Sequence, residues 1–253
     1  MLEQTSRRIT RKEKRSKQIE QKANPKINFN LKHTTPLTQN QKRTFESYKK
    51  NKNLFLHGIA GTGKTFLALY LSLEEVMNDD NEFNNITIVR SIVPTRDIGF
   101  LPGNSKEKSK VYESPYYNIF SELFGRGDAY EYFKQKNVVD FINTSYIRGT
   151  TFNNSIIVVD ECENLNFHEL DSVITRIGKN CKIVFCGDFT QSDLSNKEKH
   201  GILDFIKIIK RMKQFDFIEF SVSDIVRSEI VKNYIISKEA IKDENNKVEM
   251  AVD

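Results

Sequence analysis

Residues His57-Gly58-Ile59-Ala60-Gly61-Thr62-Gly63-Lys64-Thr65 contain the complete Gly-x-x-x-x-Gly-Lys-Thr pattern of a phosphate-binding loop. An apolar run, Leu54-Phe55-Leu56, enters this loop, and a run with helical periodicity, Phe66 to Met77, leaves it. A strand, a glycine-rich turn and a helix are the context the motif needs, because backbone N–H groups and the helix N-terminus then face one anion. We therefore predict nucleotide binding by Gly58, Ile59, Ala60, Gly61, Thr62, Gly63, Lys64 and Thr65. Lys64 reaches the outer phosphates, and the Thr65 hydroxyl coordinates Mg²⁺.

Around the loop, apolar runs alternate with segments of helical periodicity. The predicted strands are 54–57, 86–90, 138–143, 155–159, 181–185 and 215–220. The predicted helices are 39–49, 64–77, 116–124, 167–177, 201–212 and 229–237. This alternation predicts an α/β fold in which a parallel sheet lies between two layers of helices. The stretch between Ser91 and Val138 is the least regular, which is typical of a functional or a disordered loop, and it could be an insertion that contacts a substrate.

Charge is distributed unevenly along the 253 residues. Residues 1–53 carry 15 Lys and Arg against 4 Asp and Glu, whereas residues 54–253 carry 24 against 30. Residues 1–26 are predicted to be a basic, disordered arm that either binds nucleic acid or only aids solubility. The arm has no apolar signal segment, and no stretch approaches the ~20 apolar residues of a membrane span, so a cytoplasmic protein is expected.

Two acids follow the buried strand Ile156–Val159. The strand delivers Asp160 and Glu161 to the carboxyl end of the sheet, where ligands of open α/β folds bind. There Asp160 can hold the Mg²⁺ shell through water, and Glu161 can orient and deprotonate an attacking water. The pair favours hydrolysis over transfer to a metabolite. The competing interpretation is a strand that ends in ordinary surface acids.

Three further side chains are candidates for the same site. Gln191 comes shortly after the predicted strand 181–185 and could bond the γ-phosphate, supported by Asp188. Arg227 follows the last strand and could stabilise the transferring phosphoryl group in its own subunit or a neighbour, or simply pair with Asp224. Gln41 lies upstream of the loop, and its amide could read an adenine edge.

The order of these motifs resembles the PhoH family of P-loop ATPases, whose core is similar to the first RecA-like domain of superfamily 1 helicases. The resemblance covers roughly residues 36–240. It rests on Thr38-x-x-Gln41, the loop 58–65, Gly-Phe-Leu-Pro-Gly at 99–103, Lys108, Pro115-Tyr116, Ile147-Arg148-Gly149-x-Thr151-Phe152, Asp160-Glu161-x-x-Asn164, Gly187-Asp188-x-x-Gln191 and Asp224-x-Val226-Arg227. The string at 91–97 is similar to the bacteriophage branch.

The resemblance implies ATP binding and hydrolysis with Mg²⁺. It assigns Gln41 to adenine, Lys64 and Thr65 to phosphate and Mg²⁺, Asp160 and Glu161 to Mg²⁺ and water, Gln191 to the γ-phosphate and Arg227 to a finger-like role. It also implies a homo-oligomer such as a hexameric ring. The ATPase domain is predicted over 27–240, followed by a polar tail at 241–253.

This sequence departs from the family pattern at two positions. Glu163 stands where the family has glutamine in its Asp-Glu-Ala-Gln-Asn string, which removes amide donors and adds a charge. Thr150 replaces the second arginine of the family's Arg-Gly-Arg-Thr string. The first change puts in doubt whatever hydrogen bond the amide makes.

Three functions are open at this point. The leading one is an ATPase that acts on single-stranded RNA or DNA, with RNA favoured. Aromatic residues of the long insert could stack bases, although most of them suit a small core better: Phe100, Tyr112, Tyr116 and Tyr117. The second is a nucleotide-gated oligomeric binding module with little turnover. A small-molecule kinase is disfavoured, because the sequence shows neither an acceptor pocket nor an arginine-rich lid.

Overall fold

The computed structural model describes residues 29–78, 80–91, 105–189 and 196–249, with backbone alone for 105–109, 196–200 and 242–249. The strands are β1 Asn53–Gly58, β2 Asn85–Arg90, β3 Val139–Asn143, β4 Ser155–Val159, β5 Cys181–Gly187 and β6 Phe215–Phe220. The helices are α1 Gln39–Lys49, α2 Lys64–Val76, α3 Ser105–Phe124, α4 Ala129–Gln135, α5 Phe167–Ile174, α6 Asn196–Lys210 and α7 Glu229–Glu249. Short 3₁₀ helices lie at Thr144–Tyr146, Cys162–Asn164 and Val222–Asp224.

The six strands form one parallel sheet in the order β3-β2-β4-β5-β1-β6. This confirms the predicted α/β fold and all six predicted strands, with shifts of one or two residues at their ends. Because all strands are parallel, the side chains that follow them meet at one edge of the sheet. The order puts β5 between β4 and β1, so the segments after these three strands are close neighbours.

The sheet is buried on both faces, and successive strand residues alternate between two cores. Leu54, Leu56, Ile156 and Val158 point into a core built with α2, α3 and α4. Phe55, Ile157, Val159 and Phe185 point into a second core that contains residues of α5 and α6. Burial on both faces explains why these strands appear in the sequence as continuous apolar runs.

Two helices are much longer than predicted, and one was not predicted. The stretch between Ser91 and Val138, which is the least regular by sequence, contains α3 and α4, and α4 was not predicted. Only residues 116–124 were predicted helical, since Pro115 and the charged run before it hide the first half of α3. The last helix was predicted to end at residue 237, but α7 continues to Glu249, within the predicted polar tail.

Some predictions fall outside the described residues: the arm 1–26, the strings at 92–97 and 99–103, and Gln191. The Lys108 side chain is not described either. Among the helices that are described, none has the length and apolar character to cross a membrane.

Candidate functional site

The loop between β1 and α2 has the backbone that its glycines permit. Gly58, Gly61 and Gly63 all have positive φ, at 118°, 79° and 84°. At Gly58 a Cβ atom would lie 2.0 Å from the carbonyl oxygen of Phe220, so β6 leaves no room for a side chain. The amide of Ile59 donates to that same oxygen at 3.1 Å, which fixes the start of the loop to the end of β6. Only glycine satisfies both the conformation and the contact.

Lys64 lies against the backbone of its own loop. Its Nζ donates to the carbonyl oxygens of Gly58 at 2.7 Å and Ile59 at 2.9 Å. The side chain is buried, and this burial lowers the pKa of the Lys64 ammonium despite the nearby Asp188. A partly desolvated cation held at the loop is suited to a phosphate, because its charge is weakly screened there.

Thr65 and Asp160 meet across the site. The Thr65 hydroxyl donates to Asp160 Oδ1 at 2.6 Å, although the two residues are 95 positions apart in sequence. Hydroxyl and carboxylate oxygens are ligands that suit Mg²⁺, which is typically held by one or two protein groups together with phosphates and waters. Within the described ranges, no cluster of three or more His, Cys, Asp and Glu side chains could hold a metal alone. A hydroxyl and a carboxylate at the loop fit a partial Mg²⁺ shell that phosphate oxygens and waters would complete.

Asp160 has a second hydroxyl partner. Tyr116 of α3 donates to Asp160 Oδ2 at 2.9 Å, and both side chains are buried. Burial, with Asp160 beside it, raises the pKa of the Tyr116 phenol well above its usual value, so the hydroxyl remains a donor. Each oxygen of Asp160 thus accepts one hydroxyl hydrogen bond.

Glu161 is held by Arg90. The guanidinium of Arg90, at the end of β2, donates to Glu161 Oε2 and forms an ion pair with it. Arg90 also donates to the carbonyl oxygen of Tyr112 at 3.4 Å. The backbone of Glu161 is left-handed, with φ 47° and ψ 46°, a conformation that costs a non-glycine residue about 1 kcal/mol or more. Strain of this kind is common where a side chain must point at a ligand.

Asp188 and Glu163 form a chain of hydrogen bonds to the loop. The amide of Ala60 donates to Asp188 Oδ2 at 3.1 Å, and the amide of Asp188 donates to Glu163 Oε2 at 3.1 Å. Both carboxylates are buried. Burial raises the pKa of Glu163 to about 7, even though the Asp188 amide favours its charged form. The residue that departs from the family pattern therefore lies directly behind the loop.

Gln41 supports the loop from the other side. Thr38 caps α1, because its hydroxyl oxygen accepts from the backbone amide of Gln41. The Gln41 side chain is buried, and its Nε2 donates to the Thr62 carbonyl at 3.2 Å while its Oε1 accepts from Leu37 N at 2.8 Å. Contact with adenine stays a prediction. The contact that the structure does contain is with the loop backbone.

Arg227 lies beside the loop of its own chain. The amide of Val226 donates to the Gly61 carbonyl at 3.1 Å, and a Cβ atom at Gly61 would be 3.1 Å from Arg227 Cγ. The side chain is exposed. Asp224 is engaged elsewhere, because it accepts from Asn40 Nδ2 at 2.8 Å and from the Ser221 amide at 2.9 Å. A finger-like role for Arg227 stays a prediction.

The structure thus brings together Gln41, the loop 58–65, Asp160, Glu161, Asp188 and Arg227, while Gln191 lies outside the described residues. The string at 147–152 is anchored by buried Ile147 and Phe152, and its Arg148 is exposed. Sequence reasoning missed the roles of Arg90 and Tyr116. Arg90 carried a usable signal, because it is a polar residue at the end of a buried strand, like Asp160. The contact of Tyr116 has no local signal.

Comparisons with known proteins show similarity to one family over most of the chain. The family model described as PhoH-like protein matches residues 33–238. A PhoH-like protein of Synechocystis is 31% identical over 199 residues, which cover 78% of this chain and 60% of that protein. Protein PhoH of Escherichia coli K12 is 29% identical over 178 residues, covering 69% of this chain and 49% of that protein. The chain thus spans about half to three fifths of the length of these relatives.

Solved structures show weaker similarity. The large terminase of a thermophilic bacteriophage has a TM-score of 0.48 at 10% identity, covering 79% of this chain and 50% of the terminase. The Hef helicase domain of Pyrococcus furiosus has a TM-score of 0.43 at 11% identity, covering 73% of this chain and 38% of that one. Scores of this size carry no functional information. Family membership therefore rests on the sequence match, which covers most of the described core, and this chain belongs to the PhoH-like protein family.

Proposed function

We propose that this chain binds ATP with Mg²⁺ and hydrolyses the β–γ bond. The proposal rests on the 2.6 Å hydrogen bond from the Thr65 hydroxyl to Asp160 Oδ1, which links the loop 58–65 to the acid pair Asp160 and Glu161. Thr65 and Asp160 would hold Mg²⁺, which would neutralise charge on the phosphates when bound. Lys64 would stabilise the outer phosphates, and Glu161 would accept a proton from the attacking water.

Steady-state ATP turnover tests this proposal. Glu161→Gln keeps the size of the side chain but removes its basicity, so we expect turnover to fall by about 10²-fold or more while ATP still binds. Lys64→Ala is expected to weaken ATP binding itself. Glu122→Gln, an exposed glutamate on α3, is the matched control and should behave as the wild type. A wild type without turnover, or Glu161→Gln at the wild-type rate, would refute hydrolysis.

We further propose that hydrolysis is coupled to single-stranded nucleic acid, with RNA favoured. The excess of basic residues in 1–53 supports an interaction with phosphates. A cavity of about 570 Å³ at the carboxyl end of β3 offers a second point of contact. Its lining includes Lys110, Asn143 and the exposed ring of Tyr146, groups that suit a phosphate, a base edge and a base face. The two carboxylates of the lining are engaged by neighbours, because Glu113 pairs with Lys134 and Glu131 accepts from the Tyr117 hydroxyl. Turnover with and without single-stranded RNA or DNA distinguishes these substrates.

The alternative is a nucleotide-gated oligomer with little turnover. Arg227 lies at the start of a surface where α7 exposes Ile230 and Tyr234, at 78% and 69% of their area, which favours association with another chain. Sedimentation velocity in the presence of ATP measures the oligomeric state of the wild type and of Glu161→Gln. Assembly that is equal in both proteins, together with negligible wild-type turnover, would favour the binding module. A phage origin and a cytoplasmic location remain parts of the proposal.

A further inference from the structure

The hydroxyl of the buried Tyr116 has an unusual hydrogen-bond partner for a core tyrosine. The ring is fully buried on α3 and lies against Tyr130 and Phe141, with centroid distances of 6.2 and 5.9 Å. Its hydroxyl nevertheless bonds Asp160, the carboxylate that would bind the metal, at 2.9 Å. A packing role explains the ring. It does not explain why the one polar atom ends on this carboxylate.

The two oxygens of Asp160 are differentiated by their partners. Oδ1 faces Thr65, the other proposed metal ligand, and Oδ2 faces Tyr116. A carboxylate with one oxygen fixed by a buried donor cannot rotate freely, so its other oxygen is presented in one direction. Such supporting hydrogen bonds orient metal ligands, and their loss typically lowers metal affinity 10–100-fold.

We infer that Tyr116 is a positioning residue that holds Asp160 Oδ2 so that Oδ1 is presented, with Thr65, to Mg²⁺. The inference rests on the proposed function, because it needs a metal–nucleotide complex at this loop. It also assigns a role to α3, the helix of the long insert between β2 and β3. Through Tyr116, any displacement of α3 would reach the metal ligand directly.

The test is the affinity of the protein–ADP complex for Mn²⁺, measured by electron paramagnetic resonance as free Mn²⁺ remaining in a titration. Tyr116→Phe removes one oxygen atom and should raise the Mn²⁺ dissociation constant about 10-fold or more. Tyr130→Phe is the matched control, because Tyr130 is also buried and also donates to a carboxylate, Glu113, at 2.8 Å. It should leave Mn²⁺ affinity unchanged.

A second measurement separates positioning from general damage to the fold. Binding of ADP in EDTA reports the intact loop without metal, and Tyr116→Phe should retain wild-type affinity there. In the background of Asp160→Asn, adding Tyr116→Phe should cause no further loss of Mn²⁺ affinity.

Three results overturn the inference. The first is wild-type Mn²⁺ affinity in Tyr116→Phe, and the second is a loss of ADP affinity in EDTA as large as the loss of Mn²⁺ affinity. The third is a further loss of Mn²⁺ affinity when Tyr116→Phe is added to Asp160→Asn. A wild-type protein that binds no nucleotide would instead refute the proposed function.

Discussion

Replacing Glu163 with glutamine should stabilise the protein in a way that depends on pH. Glu163 is buried, with 7% of its surface exposed, and burial raises its pKa from 4.5 to about 7. Between these two values the folded state binds more protons than the unfolded state, so stability falls as pH rises. This difference in pKa makes the free energy of unfolding of the glutamine variant higher than that of the wild type, by about 3 kcal/mol at pH 8 and about 1 kcal/mol at pH 5.

Glutamine suits the site because its amide oxygen can still accept the 3.1 Å hydrogen bond from the Asp188 amide. It also restores the residue that the family pattern has at this position. Urea unfolding of the wild type and Glu163→Gln at pH 5 and pH 8 measures the effect. A change of about 1 kcal/mol in the free energy of unfolding shifts the melting temperature by roughly 2–4 °C, so the melting temperatures at pH 8 should differ by roughly 6–12 °C.

Glu122→Gln is the control for this experiment, since it makes the same chemical change at an exposed position of α3. Its stability should follow the wild type at both pH values. An advantage of Glu163→Gln that is the same at pH 5 and pH 8 would refute the reasoning, because a packing effect does not titrate. A less stable variant at pH 8 would refute it as well.

The loop supports two further predictions. Gly58→Ala should lower the free energy of unfolding by more than about 3 kcal/mol, because its Cβ would meet the Phe220 carbonyl oxygen at 2.0 Å. Gly149 also has positive φ, but a Cβ there would have nothing within 4 Å, so Gly149→Ala should cost about 1 kcal/mol. Equal losses of stability for the two variants in urea unfolding would contradict the steric argument. Gln41→Ala should weaken nucleotide binding about 10-fold in a fluorescence titration, since the Thr62 carbonyl loses its 3.2 Å partner. Exposed Gln39→Ala on the same helix should have no effect, and similar losses in both variants would argue against support of the loop by Gln41.

Local sequence predicted most of the framework of the site. The glycine-rich turn predicted the loop 58–65 between an apolar strand and a helix, and the apolar run 156–159 placed Asp160 and Glu161 at the end of a strand. These features depend on periodicity and turn chemistry over a few residues. The first half of α3 was missed for the same reason, because Pro115 and the charged residues before it resemble a loop locally.

Apolar runs and turn residues were enough to predict a parallel α/β sheet with the loop 58–65 and two acids at one edge. Which side chains meet at that edge depends on how the strands and helices pack. The strand order separates β1 from β4 by β5, and it brings Thr65 to Asp160, Arg90 to Glu161 and Tyr116 to Asp160 across 95, 71 and 44 residues of sequence. Such contacts arise from the packing of whole elements against each other, so no local pattern around either partner contains them.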